Sequence, residues 1–149
     1  MYYTNPFYRC SDDDYETPEI IDLITEALRD ERSDRAKYGM MMDMTDDPEV
    51  QRQIRFAYDD EGKHYKLFQN LYEELTGSTI DMPMPEPKKY PTLLDAIQTS
   101  INGELAAVEL YRKIKAMLPT QVMRDTLYEI ITDEQEHATR FTYLYAMLK

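Results

Sequence analysis

Residues 127–148 read LYEIITDEQEHATRFTYLYAML, and within them Leu127, Ile130, Glu134, His137, Phe141, Leu144 and Leu148 recur at steps of three and four. Such spacing places all seven on one face of a helix, the face that packs into a core. Two of them, Glu134 and His137, are ionisable. An earlier stretch repeats the pattern with Ile54, Ala57, Glu61, His64, Phe68, Leu71 and Leu75. Two more segments carry a single glutamate each: Ile21, Ile24, Leu28, Glu31, Arg35 and Tyr38 in the first, and Leu94, Ile97, Ile101, Glu104, Val108 and Tyr111 in the other. Four apolar seams thus each hold a glutamate about halfway along, and two add a histidine three residues later.

Working outward, the chain of 149 residues is the size of one domain. Glycine is scarce, proline falls at boundaries, and no segment alternates like a strand, so the class is all-α. Thr17-Pro18 and Asp47-Pro48 each pair a capping residue with a proline suited to the first helical position, and Gly77 supplies a C-terminal stop. The predicted helices span about 18–44, 48–76, 91–118 and 120–148. Short links make the first pair, and likewise the last pair, antiparallel neighbours. The segment 77–90 contains STIDMPMPEPKKY, whose prolines favour an extended strap. Its thirteen residues Ser78–Tyr90, at roughly 3.1 Å each, cover about 40 Å, the length of a helix of about 27 residues. The strap is therefore long enough to cross a bundle end to end. Residues 1–16 lack any period and read as a tail.

At a separation of 73 residues the chain matches itself without a gap: Pro18 with Pro91, Glu31 with Glu104, Tyr38 with Tyr111, Asp60-Glu61 with Asp133-Glu134, His64 with His137, and Leu71-Tyr72 with Leu144-Tyr145. This is a faint duplication of a helical hairpin, with its matches concentrated on residues capable of chemistry.

Burying four carboxylates and two imidazoles costs several kcal/mol per unpaired ion unless something compensates. Two divalent cations do so in charge, and residues three apart on a helix share a face, so each Glu-x-x-His offers an oxygen and a nitrogen to one site. The expected metal ligands are Glu31, Glu61, His64, Glu104, Glu134 and His137. Carboxylate-rich ligation with one imidazole per metal suits iron, or alternatively manganese, better than zinc. Tyr38 and Tyr111 read either as core aromatics or as donors to a ligand glutamate. Asp60 and Asp133 read either as solvated residues or as carboxylates that fix an imidazole tautomer across the bundle. Gly62 and Gly103, inside helices, suggest close approach or a local irregularity. The run Met40-Met41-Met42-Asp43-Met44 reads as adaptable packing or a dimer contact.

The balance of 29 acidic against 17 basic residues, net −12, repels phosphate backbones and anionic lipid, which argues against nucleic acid and membrane partners. Cys10 alone cannot form a disulfide framework or a thiolate cluster. The opening shows no basic start followed by an apolar run, and no 18 consecutive apolar residues occur, so the expected setting is soluble and cytoplasmic.

These six residues, with Glu31-Arg-Ser-Asp-Arg-Ala-Lys-Tyr38, resemble the ferritin-like di-iron carboxylate proteins, closest to the catalytic domain of rubrerythrin. The resemblance covers about residues 18–149. It implies a ferritin-like four-helix bundle in which Glu31 and Glu104, with Glu61-x-x-His64 and Glu134-x-x-His137, hold two Fe ions. It further implies a di-iron oxidoreductase that oxidises Fe(II) or reduces O2 or peroxide, taking electrons from an external donor because the four-cysteine iron site of rubrerythrin has no counterpart here. Rubrerythrin's additional glutamate on the third helix corresponds to Ala107, and the duplicated position is Asp34, which reads as an extra ligand or as an exposed or salt-bridged aspartate. A dimanganese catalase-like enzyme and a non-enzymatic iron-binding or shell protein are the alternatives. A homodimer is expected by family analogy and from aromatics such as Tyr65 and Tyr72 near the seams.

Overall fold

The computed structural model describes residues 17–149; the tail assigned to 1–16 lies outside them. Four helices, α1 (Thr17–Asp43), α2 (Pro48–Thr76), α3 (Leu93–Met117) and α4 (Gln121–Leu148), pack as a bundle in which α1 contacts α2 and α3, and α4 contacts α2 and α3. None of these helices is long and apolar enough to cross a membrane.

The boundaries follow from local chemistry. Asp47 caps α2 through its carboxylate, which accepts from the N–H groups of Glu49 (2.8 Å) and Val50 (3.2 Å). Gly77 ends the same helix at φ 72°, a left-handed conformation that costs glycine nothing, and its N–H reaches Glu73 O. The third helix begins two residues later than Pro91, where the sequence reading placed it. Thr92 is extended (φ −139°, ψ 160°) and its hydroxyl accepts from Asp95 N, making it the cap. Thr120 caps α4 in the same way, through Met123 N. The first helix stops at Asp43 rather than Met44, with Met44 N turning back to Met41 O.

The predicted seams are buried with few exceptions. On α1 Ile20 is buried more deeply than Ile21, which packs partly buried on the first cluster, and the seam continues to Met41, which is fully buried. Met41 with half-buried Met40 and Met42 packs one end of the bundle, so the methionine run serves as packing. On α3 Ser100 takes the inward position assigned to Ile101, and its hydroxyl is satisfied by Ala96 O at 2.9 Å. Leu148, expected as the last core residue of α4, is 40% exposed. Leu75 is only partly buried.

The core is divided into two. One cluster gathers Ile24, Leu28, Phe68, Leu71, Tyr111, Ile114, Leu127 and Ile130; the other gathers Tyr38, Met41, Val50, Ile54, Ile97, Phe141 and Leu144. The glutamates and histidines of all four seams lie in sequence between the residues of these clusters. The strap runs from one cluster to the other. Ile80 and Met82 pack on the first, and Tyr90 with Leu93 on the second. Tyr65 fastens its first half by donating to Asp81 (2.8 Å) and accepting from Met82 N (2.6 Å), while Gln69 donates to Ile80 O (2.6 Å) and Arg32 lies over the Tyr65 ring and pairs with Asp81. Tyr65 is therefore buried under the strap, and partly buried Tyr72 packs on the first cluster.

Phe68 is fully buried, with its ring 4.9 Å from that of Tyr111. Phe68→Ala is expected to destabilise the protein by about 3–5 kcal/mol through lost burial and a residual cavity. Urea unfolding of the metal-free protein checks this, and a loss below about 1 kcal/mol would contradict the described core.

Candidate metal centre

Each seam delivers its ionisable residues to the same level of the bundle. Glu31, Glu61, His64, Glu104, Glu134 and His137 are all at most 2% exposed. Their donor atoms form two overlapping groups: Glu31, Glu61, His64 and Glu134, and Glu61, Glu104, Glu134 and His137, with atoms in each within 4.8 Å of one another. Glu61 and Glu134 belong to both. The two imidazoles face each other with ring centroids 5.8 Å apart. His64 Nδ1 lies 2.9 Å from Glu134 Oε1, 3.5 Å from Glu31 Oε2 and 3.9 Å from Glu61 Oε2; His137 Nδ1 lies 3.5 Å from Glu61 Oε1, 3.6 Å from Glu104 Oε2 and 3.9 Å from Glu134 Oε2.

The outer atoms of these side chains are held by residues from other helices. Asp133 of α4 meets His64 Nε2 of α2 at 3.1 Å, and Asp60 of α2 meets His137 Nε2 of α4 at 3.2 Å. Of the two readings of these aspartates, the geometry is that of a carboxylate fixing the ring across the bundle. With Nε2 protonated toward the aspartate, each Nδ1 lone pair faces the centre. Tyr111 Oη donates to Glu31 Oε1 at 2.5 Å, and Tyr38 Oη donates to Glu104 Oε1. Both tyrosines are thus core aromatics and donors to a glutamate of the cluster. Burial, followed by the adjacent glutamate, pushes both phenols well above their usual range, so they remain donors.

Asp34 is not part of either group. It pairs with Lys37 one turn along α1 and lines a surface cavity beneath the strap. Its salt-bridged reading is the one that matches the structure. Gly62 explains itself by close approach, since a Cβ there would overlap the Arg35 guanidinium, which lies over the Tyr58 ring and donates to Tyr58 O (3.3 Å). Gly103 leaves ordinary space, with Lys37 Nζ 3.8 Å from where its Cβ would stand. Sequence reasoning missed the burial of Lys37, although the i, i+3 spacing from Asp34 was a legible signal for the pair.

Whether this donor set fits metal ions is tested by its unpaired atoms. Among the described residues, the buried side-chain nitrogen and oxygen atoms without a hydrogen-bond partner are Glu31 Oε2, Glu61 Oε1, His64 Nδ1, Glu104 Oε2, Glu134 Oε1, His137 Nδ1 and Arg32 Nε. All but the last come one from each residue of the cluster, on the side facing the centre. Orphaned buried polar atoms are rare and costly. Donors about 2.0–2.6 Å from a common divalent cation lie no farther apart than about twice that, which accommodates the observed groups. The residues present therefore fit a pair of divalent ions, with one carboxylate and one imidazole private to each and two carboxylates shared.

Burial pushes the Glu31, Glu61 and Glu134 carboxyls well above the usual range. It acts on Glu104 too, but the adjacent Glu134 carboxyl and His137 imidazole outweigh it and hold Glu104 low. Burial opposes the charged form of both histidines, yet the surrounding carboxylates prevail: Glu134 foremost for His64, pushed up to about 9, and Asp60 foremost for His137, also raised. The metal-free cluster thus neutralises itself by holding protons.

No family model matches the chain. It is similar to the uncharacterized protein YhjR of Bacillus subtilis (strain 168), with 34% identity over 67 residues, 44% of this chain. The chain spans about half the length, 46%, of that curated relative in the matched region.

Two outcomes are expected. Because divalent ions displace protons held near neutral pH by raised carboxyls and imidazoles, metal addition should release protons into weakly buffered solution, and affinity should rise with pH. Calorimetry in buffers of different ionisation enthalpy measures this; uptake without proton release would contradict it. Loss of a shared ligand should also differ from loss of a private one: Glu61→Gln should abolish stable binding of both ions, whereas Glu31→Gln should leave one. Asp60→Asn should weaken binding by about 10–100-fold. Metal-to-protein ratios after gel filtration, and chelator competition, read these out.

Proposed function

We propose that this protein is a ferritin-like di-iron protein that oxidises Fe(II) or reduces O2 or peroxide at a dinuclear carboxylate–histidine centre. The observation that carries the reading is the convergence of six orphaned atoms, one per residue, in two groups that share Glu61 and Glu134. The ferritin-like arrangement, with antiparallel hairpins, is supported by the order of contacts between α1 and α2. Met42 O meets Gln51, Gly39 lies by Tyr58, and Arg32 lies over Tyr65, so later residues of one helix meet earlier residues of the other. The long connection from α2 to α3 supports the same topology.

Glu31, Glu61, His64 and Glu134 would hold one ion; Glu61, Glu104, Glu134 and His137 would hold the other. When bound, two such ions supply a pair of one-electron couples, matching the two electrons that convert O2 to peroxide or peroxide to water. The chain's own contribution is to position and to tune. Asp60 and Asp133 fix the histidine rings with the ligating nitrogen inward. Tyr38 and Tyr111 hold one oxygen each of Glu104 and Glu31 by neutral donors, leaving the second oxygen free toward the centre. The two apolar clusters exclude water from either end.

Anaerobic protein loaded with Fe(II) and mixed in stopped flow with air or with hydrogen peroxide is the test. Oxidation at least about tenfold faster than for free Fe(II) in the same buffer is expected, and the oxidant consumed faster identifies the physiological class. Oxidation no faster than in buffer would overturn the reading. Manganese in the protein as isolated, with O2 evolved from peroxide, would redirect it to a catalase.

A further inference from the structure

A cavity of about 210 Å3 lies between α1 and the strap, lined by Ser33, Asp34 and Lys37 on one side and by Pro85, Glu86 and Tyr90 among the strap residues on the other. Its floor is unusual for a bundle surface. Lys37 is only 8% exposed, its ammonium held by Asp34 and resting 4.9 Å from the centroid of the Tyr38 ring, the tyrosine that donates to Glu104. Gly103, the residue before Glu104, lies beside this ammonium, which would stand 3.8 Å from a Cβ placed there. Asp34 is close enough to Glu104 and His137 for their charges to act on its carboxyl. The floor of the cavity is thus joined to Glu104 through two side chains, Lys37 against the Tyr38 ring and Tyr38 on the carboxylate.

An ion reaching that cluster must shed its water in steps, and each step needs an oxygen donor, because an apolar passage would charge the full desolvation cost. The ends of the bundle are closed by the two apolar clusters. Asp60 and Asp133 are also partly exposed, but each sits on the Nε2 of a histidine, so a cation there meets the back of an imidazole ring. Asp34 is hydrogen-bonded to no histidine; Lys37 holds it. Its present partner is a tethered cation on a flexible stem, which can leave by rotation about its own side-chain bonds. The duplicated position on α3 is Ala107, which offers no donor, so the device exists on one side only.

We infer that Asp34 and Lys37 form a gate through which divalent metal ions enter the Glu104–His137 half of the centre, the Lys37 ammonium holding the Asp34 carboxylate until an incoming ion replaces it. The inference rests on the metal-binding reading above. It concerns passage and not final coordination, so it predicts an effect on rate without an effect on stoichiometry.

Uptake of Co(II) by metal-free full-length protein, followed by its visible absorption in stopped flow and by metal analysis at the end point, tests it. Asp34→Asn should slow uptake about tenfold or more, the scale set by one charge a few Å from a passing ion at a partly screened site, and should still end at two ions per chain. Lys37→Gln should accelerate uptake severalfold. Asp34→Asn loading at the wild-type rate would overturn the gate, and so would an end point of one ion, which would make Asp34 a ligand. If Asp34→Asn does not fold by circular dichroism, Lys37→Gln decides alone: faster uptake supports the gate and unchanged uptake overturns it. Wild-type protein that binds no Co(II), Fe(II) or Mn(II) would instead remove the metal reading and the gate together.

Discussion

The structure is organised around a layer of mutually facing carboxylates and imidazoles, each of which keeps one buried atom without a hydrogen-bond partner. Six buried atoms point at one another across the bundle axis, and each unpaired group of this kind costs on the order of 1–3 kcal/mol or more. A domain has only about 5–15 kcal/mol of net stability to set against that. A bundle of this size would be more stable with leucines in those positions, as replacements of buried ion clusters by apolar side chains show. The layer also interrupts the core, so that Phe68 and Phe141 belong to separate apolar clusters on either side of it. Such an arrangement is what a layer able to hold a pair of cations would require.

The residues surrounding the layer show how it is kept in register. Tyr111 of α3 holds Glu31 of α1, and Tyr38 of α1 holds Glu104 of α3. Asp133 of α4 holds His64 of α2, and Asp60 of α2 holds His137 of α4. Neither exchange joins helices that are linked by a short loop. Each ties α1–α2 to α3–α4, the pairs whose covalent connection is the long strap. A slide of one hairpin against the other would break all four contacts at once, so the polar layer sets the relative placement of the hairpins while the loops Met44–Asp47 and Leu118–Thr120 fix each hairpin internally.

The four helices and the six residues of the layer were legible because period and chemistry reinforced one another. Glutamate and histidine at positions where the steps of three and four demand an apolar residue cannot be read as surface. The duplication made each assignment twice. Where a single pattern had to decide, the most buried position was off by one residue: Ile20 lies deeper than Ile21, and Ser100 deeper than Ile101, because an isolated helix does not reveal how its face is rotated by the neighbour it meets. The clasp of Tyr65, Arg32 and Asp81 was not legible at all, since it joins a helix to a segment without a period. The roles of Asp60 and Asp133 remained open for a related reason. Their partners lie 77 and 69 residues away, and only the crossing of α2 and α4 brings them together.

Duplication has left the centre symmetric and the surroundings unequal. Every residue of the polar layer, its tyrosines and its aspartates has a counterpart at the same offset, yet the position that matches Asp34 is Ala107. Two ions in a symmetric cage would be interchangeable. The strap and the Asp34–Lys37 pair line a polar cavity on one side of α1, whereas Ala107 packs on the first apolar cluster. If the six residues hold two ions as proposed, their chemistry does not differ between the halves, and the Asp34–Lys37 pair, which has no counterpart at the duplicated positions, would be what distinguishes one half from the other.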